Sequence, residues 1–134
     1  MYKQALKLAN KYHHRQCRRG SCVPYITHPL RVASHFNDDF RKTIAILHDV
    51  VEDTNMTIEL LSQMFPENIV RVVDLLTKQE GEDHFKYIKR LSVDEVAAEI
   101  KIMDIVDNLT DSLCVQPESM IERYRKSLDM LINK

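Results

Sequence analysis

Short apolar clusters alternate with polar segments along this chain, and the clusters repeat at helical rather than strand spacing. Over residues 2–16, Leu6, Ala9 and Tyr12 recur about every third position, with Ala5 and Leu8 beside them, which predicts an amphipathic helix. The stretch from Arg18 to Thr27 is polar, holds Gly20 and Pro24, and reads as a loop. Pro29 suits the first turn of a second helix over 29–36. A third helix is predicted over 39–52; its centre, Ile44-Ala45-Ile46-Leu47, is apolar all round and should be buried. Thr57 caps a helix over 58–65, which Pro66 ends. Ile69, Val70, Val72, Val73 and Leu76 predict a helix over 67–77, followed by a surface loop over 78–83. Asp83 starts a short helix carrying Phe85, Tyr87, Ile88 and Leu91. Ser92 and Glu95 have the spacing of a capping box and open a long helix over 93–113. Pro117 begins a last helix over 117–132, whose Met120, Ile121, Tyr124, Leu128 and Leu131 would pack on the core or on a second copy of the chain in a homo-oligomer.

The sum is an all-α bundle of seven or eight helices with no convincing strand. Only two glycines and four prolines occur in 134 residues, which supports helices over a strand-and-turn architecture. The length suits one domain, 1–134, and is enough to bury a core without staples. No segment is apolar for the roughly 18 residues that a membrane span needs, and no N-terminal run resembles a signal peptide. Cys17, Cys22 and Cys114 are odd in number and form no CxxC pair. They argue against a disulfide framework, fit a reducing, cytoplasmic setting and read as packing residues. The net charge of -1 gives no pull toward nucleic acid or an anionic membrane. A local basic patch, Arg15, Arg18 and Arg19, remains available to a small anion. No Gly-rich phosphate loop is present, which counts against a P-loop kinase or NTPase.

The candidate chemistry begins where the buried run ends. His48-Asp49 follows it directly, and Glu52 and Asp53 come three to five residues later, on or next to the same helical face. Three carboxylates crowded at one helix end repel one another, and a divalent cation removes that repulsion. The plain alternative is a solvated acidic helix end. Asp104 lies among Ile102, Met103, Ile105 and Val106 on a core helix and needs a partner there. Lys101 offers an ion pair, a metal ion offers coordination, and Asp107 and Asn108 share the same face. His28 lies in Tyr25-Ile26-Thr27-His28-Pro29-Leu30, whereas His13, His14, His35 and His84 have no comparable setting. Imidazole nitrogen mixed with carboxylate oxygen suits Mn²⁺, Fe²⁺ or Zn²⁺ better than Ca²⁺.

The order His28 … His48-Asp49 … Asp104 resembles the HD superfamily of metal-dependent phosphohydrolases. The resemblance is closer to one branch, the hydrolase domain of RelA/SpoT-type alarmone enzymes and their stand-alone small hydrolases. It is carried by His13-x-x-Gln16-x-Arg18-Arg19, Pro24-Tyr25-Ile26-x-His28-Pro29-Leu30-x-Val32-Ala33, Leu47-His48-Asp49-Val50-Val51-Glu52-Asp53-Thr54, Leu75-Leu76-Thr77-Lys78 and Lys101-x-x-Asp104-x-x-x-Asn108-Leu109. It implies an HD-domain bundle holding one divalent transition metal, Mn²⁺ first among the candidates, on His28, His48, Asp49 and Asp104. It implies Glu52 and Asp53 as the pair that positions and activates water. Arg18, Arg19, Tyr25 and Asn108 would bind a nucleotide. The implied reaction is removal of the 3′-pyrophosphate from guanosine 3′,5′-bis(diphosphate) or its pentaphosphate, giving GDP or GTP. Other outcomes are an HD phosphohydrolase of another nucleotide (a dNTP, an NMP or a phosphorylated dinucleotide) or a catalytically silent nucleotide-binding module. This chain has Asp107 where the family often has His or Tyr. It continues Thr110-Asp111 where Arg or a small polar residue is usual, and Asp111 is expected to weaken the ribose contact. It also ends about a helix earlier than typical stand-alone members, which favours the other-nucleotide outcome.

Overall fold

The computed structural model describes residues 1–111 and 116–133. The helices run α1 Tyr2–Tyr12, α2 Thr27–Ser34, α3 Asp39–Leu47, α4 Val50–Asp53, α5 Ile58–Ser62, α6 Glu67–Leu76, α7 His84–Leu91, α8 Glu95–Thr110 and α9 Glu118–Ile132. The all-helical expectation holds. Among the described residues the sole β feature is an isolated bridge between Cys17 and Pro24.

The centre of the molecule is α3 and α8. Ile44, Ala45, Ile46 and Leu47 are fully buried, because α3 is packed by α1, α2, α6 and α8 at once. The α8 helix lies against α2, α3, α6 and α9, which explains its apolar composition on more than one face. The stripe on α6 (Ile69, Val70, Val72, Val73 and Leu76) is buried as its periodicity predicts. The last helix packs on α7 and α8, with Leu131 buried and Tyr124, Leu128 and Met130 against the core. The part of its apolar stripe from Tyr124 to Leu131 is thus used within the chain.

Three local expectations are corrected. The helix predicted over 39–52 is broken at His48-Asp49. The His48 ring donates from Nδ1 to the Ala45 carbonyl at 2.6 Å. That carbonyl is the one a continuous helix would offer to the Asp49 N–H. The capping box of Ser92 and Glu95 does not form. Ser92 closes α7, donating its hydroxyl to the Lys89 carbonyl at 2.7 Å, and Asp94 caps α8 by accepting from Ala97 N at 2.9 Å. A helix starting two residues later keeps the apolar face of α8 on the core. The second helix begins at Thr27 rather than at 29, although Pro29 stands in its first turn as expected, a position free of the backbone donor duty. Asp38, Thr57 and Asp83 cap α3, α5 and α7 through their side chains.

The cysteine reading is also corrected. Cys17 and Cys22 are exposed and not packed in the core, because both lie in the loop before α2; Cys114 lies outside the described residues. That loop turns back at Gly20, whose φ of +73° is costly for any residue with a Cβ. Hydrogen bonds from Arg18 N to Val23 O (2.8 Å) and from Tyr25 N to Gln16 O (2.7 Å) hold the two arms together. The loop thereby brings Arg18, Arg19 and Tyr25 to the mouth of one cavity.

Candidate metal centre

Two helices and one helix break build the centre. α2 contributes His28, the break after α3 contributes His48 and Asp49, and α8 contributes Asp104. One ligand atom from each lies within 4.8 Å of all the others. His28 Nε2 is 2.7 Å from Asp104 Oδ1 and 3.6 Å from Asp49 Oδ2. His48 Nε2 is 3.0 Å from Asp49 Oδ2 and 3.3 Å from Asp104 Oδ1. These four residues are separated by up to 76 positions in the chain, yet they converge as the sequence order predicts.

Each ligand candidate is held from behind. His48 Nδ1 donates to the Ala45 carbonyl, and His28 Nδ1 donates to Asp107 Oδ2 at 2.7 Å. Both imidazoles therefore turn Nε2 toward the cluster. Asp104 uses Oδ2 for Lys101 Nζ at 2.8 Å and keeps Oδ1 at the cluster. The ion-pair reading and the cluster reading of Asp104 thus hold together, one oxygen each. The Tyr25 hydroxyl donates to Asp49 and also lies 3.2 Å from Asp53 Oδ2. Glu52 Oε1 accepts from Lys78 N at 2.8 Å, and Gln16 Nε2 donates to the Asp53 carbonyl at 2.9 Å.

The electrostatics fit a cation. Burial pushes Asp53 upward, Asp49 and Glu52 add to it, and its carboxyl reaches about 7. Burial raises Glu52 as well, and the backbone bond from Lys78 only partly opposes this. Desolvation acts against charge on His28 and His48, but the facing carboxylates outweigh it and raise both. The carboxylates that raise both imidazoles, and the crowding that raises Glu52 and Asp53, make this a strongly acidic pocket around two histidines. A divalent cation suits that donor set of two imidazole nitrogens and two carboxylate oxygens.

Above the cluster lies a cavity of about 320 Å³. Arg18, Arg19, Tyr25 and Asn108 line it, as do Asp49, Glu52, Asp53, Lys101 and Asp104. All the proposed substrate and water-handling residues therefore share one space. The basic patch read from the sequence does not exist as such. Arg18 is 5% exposed and pairs with Asp111 (3.2 Å), Asp107 (3.5 Å) and Asn108 Oδ1 (2.9 Å), whereas Arg15 and Arg19 stay exposed. The burial of His13 was not foreseen. Its ring packs 4.9 Å from Tyr25, and its Nδ1 is bonded to Gln16 at 2.8 Å.

The cavity also takes Gln116 and Tyr124 from the C-terminal part of the chain. The sequence showed Tyr124 only as one member of an apolar stripe. Arg31, which forks Asp107 at 2.6 and 3.0 Å and also meets Asp111 at 2.7 Å, was missed altogether. Its signal was its place one helical turn after His28.

The family model described as the HD domain matches residues 5–128. Among curated relatives, a probable GTP pyrophosphokinase of Mycobacterium leprae is 34% identical, over 96% of this chain and 18% of its own length. A guanosine-3′,5′-bis(diphosphate) 3′-pyrophosphohydrolase of Borreliella burgdorferi is 33% identical, over 92% of this chain and 20% of its own length. The chain thus spans about a fifth of the length of these relatives. A solved structure described as a metazoan ortholog of SpoT that hydrolyzes ppGpp matches with a TM-score of 0.79. That match covers 98% of this chain and 83% of the other at 23% identity, a likeness of fold. With a helical bundle of that shape and a family match spanning every residue of the cluster, the chain belongs to the HD domain family.

Proposed function

We propose that this chain is a metal-dependent hydrolase that removes the 3′-pyrophosphate from guanosine 3′,5′-bis(diphosphate) or its pentaphosphate, working as one domain over 1–134 in the cytoplasm. The observation that carries the reading is the convergence of His28, His48, Asp49 and Asp104 at the floor of a cavity that also holds Glu52, Asp53, Arg18 and Arg19. The substrate follows from relatives named for that hydrolysis.

His28, His48, Asp49 and Asp104 would hold one divalent ion, with Mn²⁺ our first choice. When bound, such an ion lowers the pKa of water from about 15.7 to roughly 7 and polarises a phosphoryl oxygen. The chain's own groups do the rest. Glu52 and Asp53 have their proton affinity raised by burial, and they orient the attacking water and accept its proton. Tyr25 anchors Asp49 and Asp53 through its hydroxyl and offers its ring to the nucleoside. Arg18 lines the cavity with its guanidinium 5.9 Å over the Tyr25 ring and its nitrogens held by Asn108, Asp107 and Asp111, so it meets the nucleotide as a fixed charged edge beside that ring. Exposed Arg19 offsets the charge of the pyrophosphate. The products are GDP or GTP and pyrophosphate.

The test is a substrate screen with ppGpp, dNTPs and NMPs, each with and without Mn²⁺, read as released pyrophosphate or phosphate. Mn²⁺-dependent pyrophosphate release from ppGpp is the expected result. Turnover of dNTPs or NMPs alone assigns another nucleotide, and no turnover at all makes the chain a silent binding module.

A further inference from the structure

Two histidines enter the centre, and the fold orients them by different means. His48 is held by a backbone carbonyl, Ala45 O. His28 is held by a side chain, Asp107, whose Oδ2 lies 2.7 Å from its Nδ1. An imidazole ligates through a nitrogen that carries no proton, so the partner of its other nitrogen decides which atom is offered. For His28 the atom at the cluster is Nε2, and Nδ1 faces Asp107.

Asp107 is itself clamped. Arg31 donates from Nε to Oδ1 at 2.6 Å and from Nη2 to Oδ2 at 3.0 Å, the two-pronged geometry that fixes a carboxylate plane. Arg18 adds a weaker contact at 3.5 Å. The arrangement follows from helical spacing on two facing elements. His28 and Arg31 are one turn apart on α2, and Asp104 and Asp107 are one turn apart on α8. Pairing α2 with α8 therefore stacks the His28–Asp104 contact directly on the Arg31–Asp107 contact. Asp107 is only 6% exposed, so its charge acts in a poorly solvated place.

Resting on the metal-site reading above, the geometry points to Asp107, clamped by Arg31, as a positioning residue that fixes His28 with Nε2 free to ligate. Carboxylate partners of this kind typically change metal affinity by about 10- to 100-fold when removed.

The experiment titrates Zn²⁺ into wild type, Asp107→Ala, Asp107→Asn, Arg31→Leu and Asp49→Ala against a chromophoric chelator. Far-ultraviolet circular dichroism is recorded for each, and the imidazole ¹⁵N–¹H signals of His28 and His48 are followed in the Zn²⁺-loaded proteins. Asp107→Ala is expected to weaken Zn²⁺ binding about 10- to 100-fold and to expose the His28 Nδ1 proton to fast exchange, with the His48 signal unchanged. Asp107→Asn keeps an acceptor oxygen and should restore the His28 signal with part of the affinity. Arg31→Leu should cost less, about two- to tenfold. If Asp107→Ala does not fold, Asp107→Asn and Arg31→Leu carry the measurement. Wild-type affinity in the Asp107 variants, or loss of the His28 and His48 signals together, overturns the inference; if Asp49→Ala has meanwhile lost Zn²⁺, the metal site itself stands. A wild-type protein that takes up no Zn²⁺ or Mn²⁺ overturns both readings.

Discussion

Asp49 and Glu52 are one helical turn apart, and the structure gives them different surroundings. Asp49 faces both imidazoles and the Tyr25 hydroxyl, and proximity to His48 overcomes burial to hold its carboxyl well below the usual range. Glu52 instead has one oxygen tied to Lys78 N, away from the four clustered residues. Asp49→Ala should therefore abolish metal binding and turnover together. Glu52→Ala should keep the metal and lose about 10²- to 10⁴-fold in rate, the usual worth of a positioned acid or base. Metal analysis of both purified variants beside a pyrophosphate-release assay separates the two roles. A metal-free Glu52→Ala would make Glu52 a ligand instead.

At the scale of elements, the site depends on how α2, α8 and α9 are docked. The dock of α9 onto α7 runs through His84, whose Nε2 lies 3.0 Å from the buried Ser127 hydroxyl. Ser127 donates to the Arg123 carbonyl, so His84 supplies the proton of that contact. Burial, with Lys101 and Arg123 nearby, pushes the His84 ring down to about 4. Its folded pKa is below the unfolded value of about 6.5, so the unfolded chain binds the proton more tightly. The His84 contribution is therefore complete above pH ~6.5 and is lost as pH falls toward 4. Because the ring is only half covered, water screens its neighbours and limits the loss to ~1 kcal/mol. Thermal melts between pH 7.5 and pH 4.5 should show a shallower acid limb for His84→Gln than for wild type, and parallel limbs would remove His84 from the explanation.

For the whole molecule, the centre joins segments from α2, the α3–α4 break and α8, so a bound cation ties the bundle together where its own charges oppose one another. A ligand that binds only the folded state at 100 times its Kd stabilises by about 2.7 kcal/mol. Adding Mn²⁺ or Zn²⁺ at such an excess should raise Tm by several degrees, and chelation should reverse it. Asp49→Ala should show no response. An equal rise in that variant would place the stabilising ion elsewhere. Among the described residues no helix is long and apolar enough to cross a membrane.

The sequence by itself determined the all-helical class, and its resemblance to a known family picked out the four clustered residues. Periodicity and capping act within a few positions, so α6 and the caps at Thr57 and Asp83 were legible without a fold. The string from His48 to Asp53 marked the centre because so much charge follows so apolar a run. Three local features were beyond that reach. The break between α3 and α4 depends on a side chain capturing Ala45 O, and the start of α8 at Asp94 on where the core takes its apolar face. Arg18 reads as part of an open patch until Asp107 and Asp111 are seen to enclose it. Only the tertiary structure decided that His28 stands between Asp104 and Asp107, 76 and 79 residues away, with Arg31 locking the second. Such pairings arise from the docking of α2 on α8, and spacing within one helix carries no information about which face of another helix it will meet.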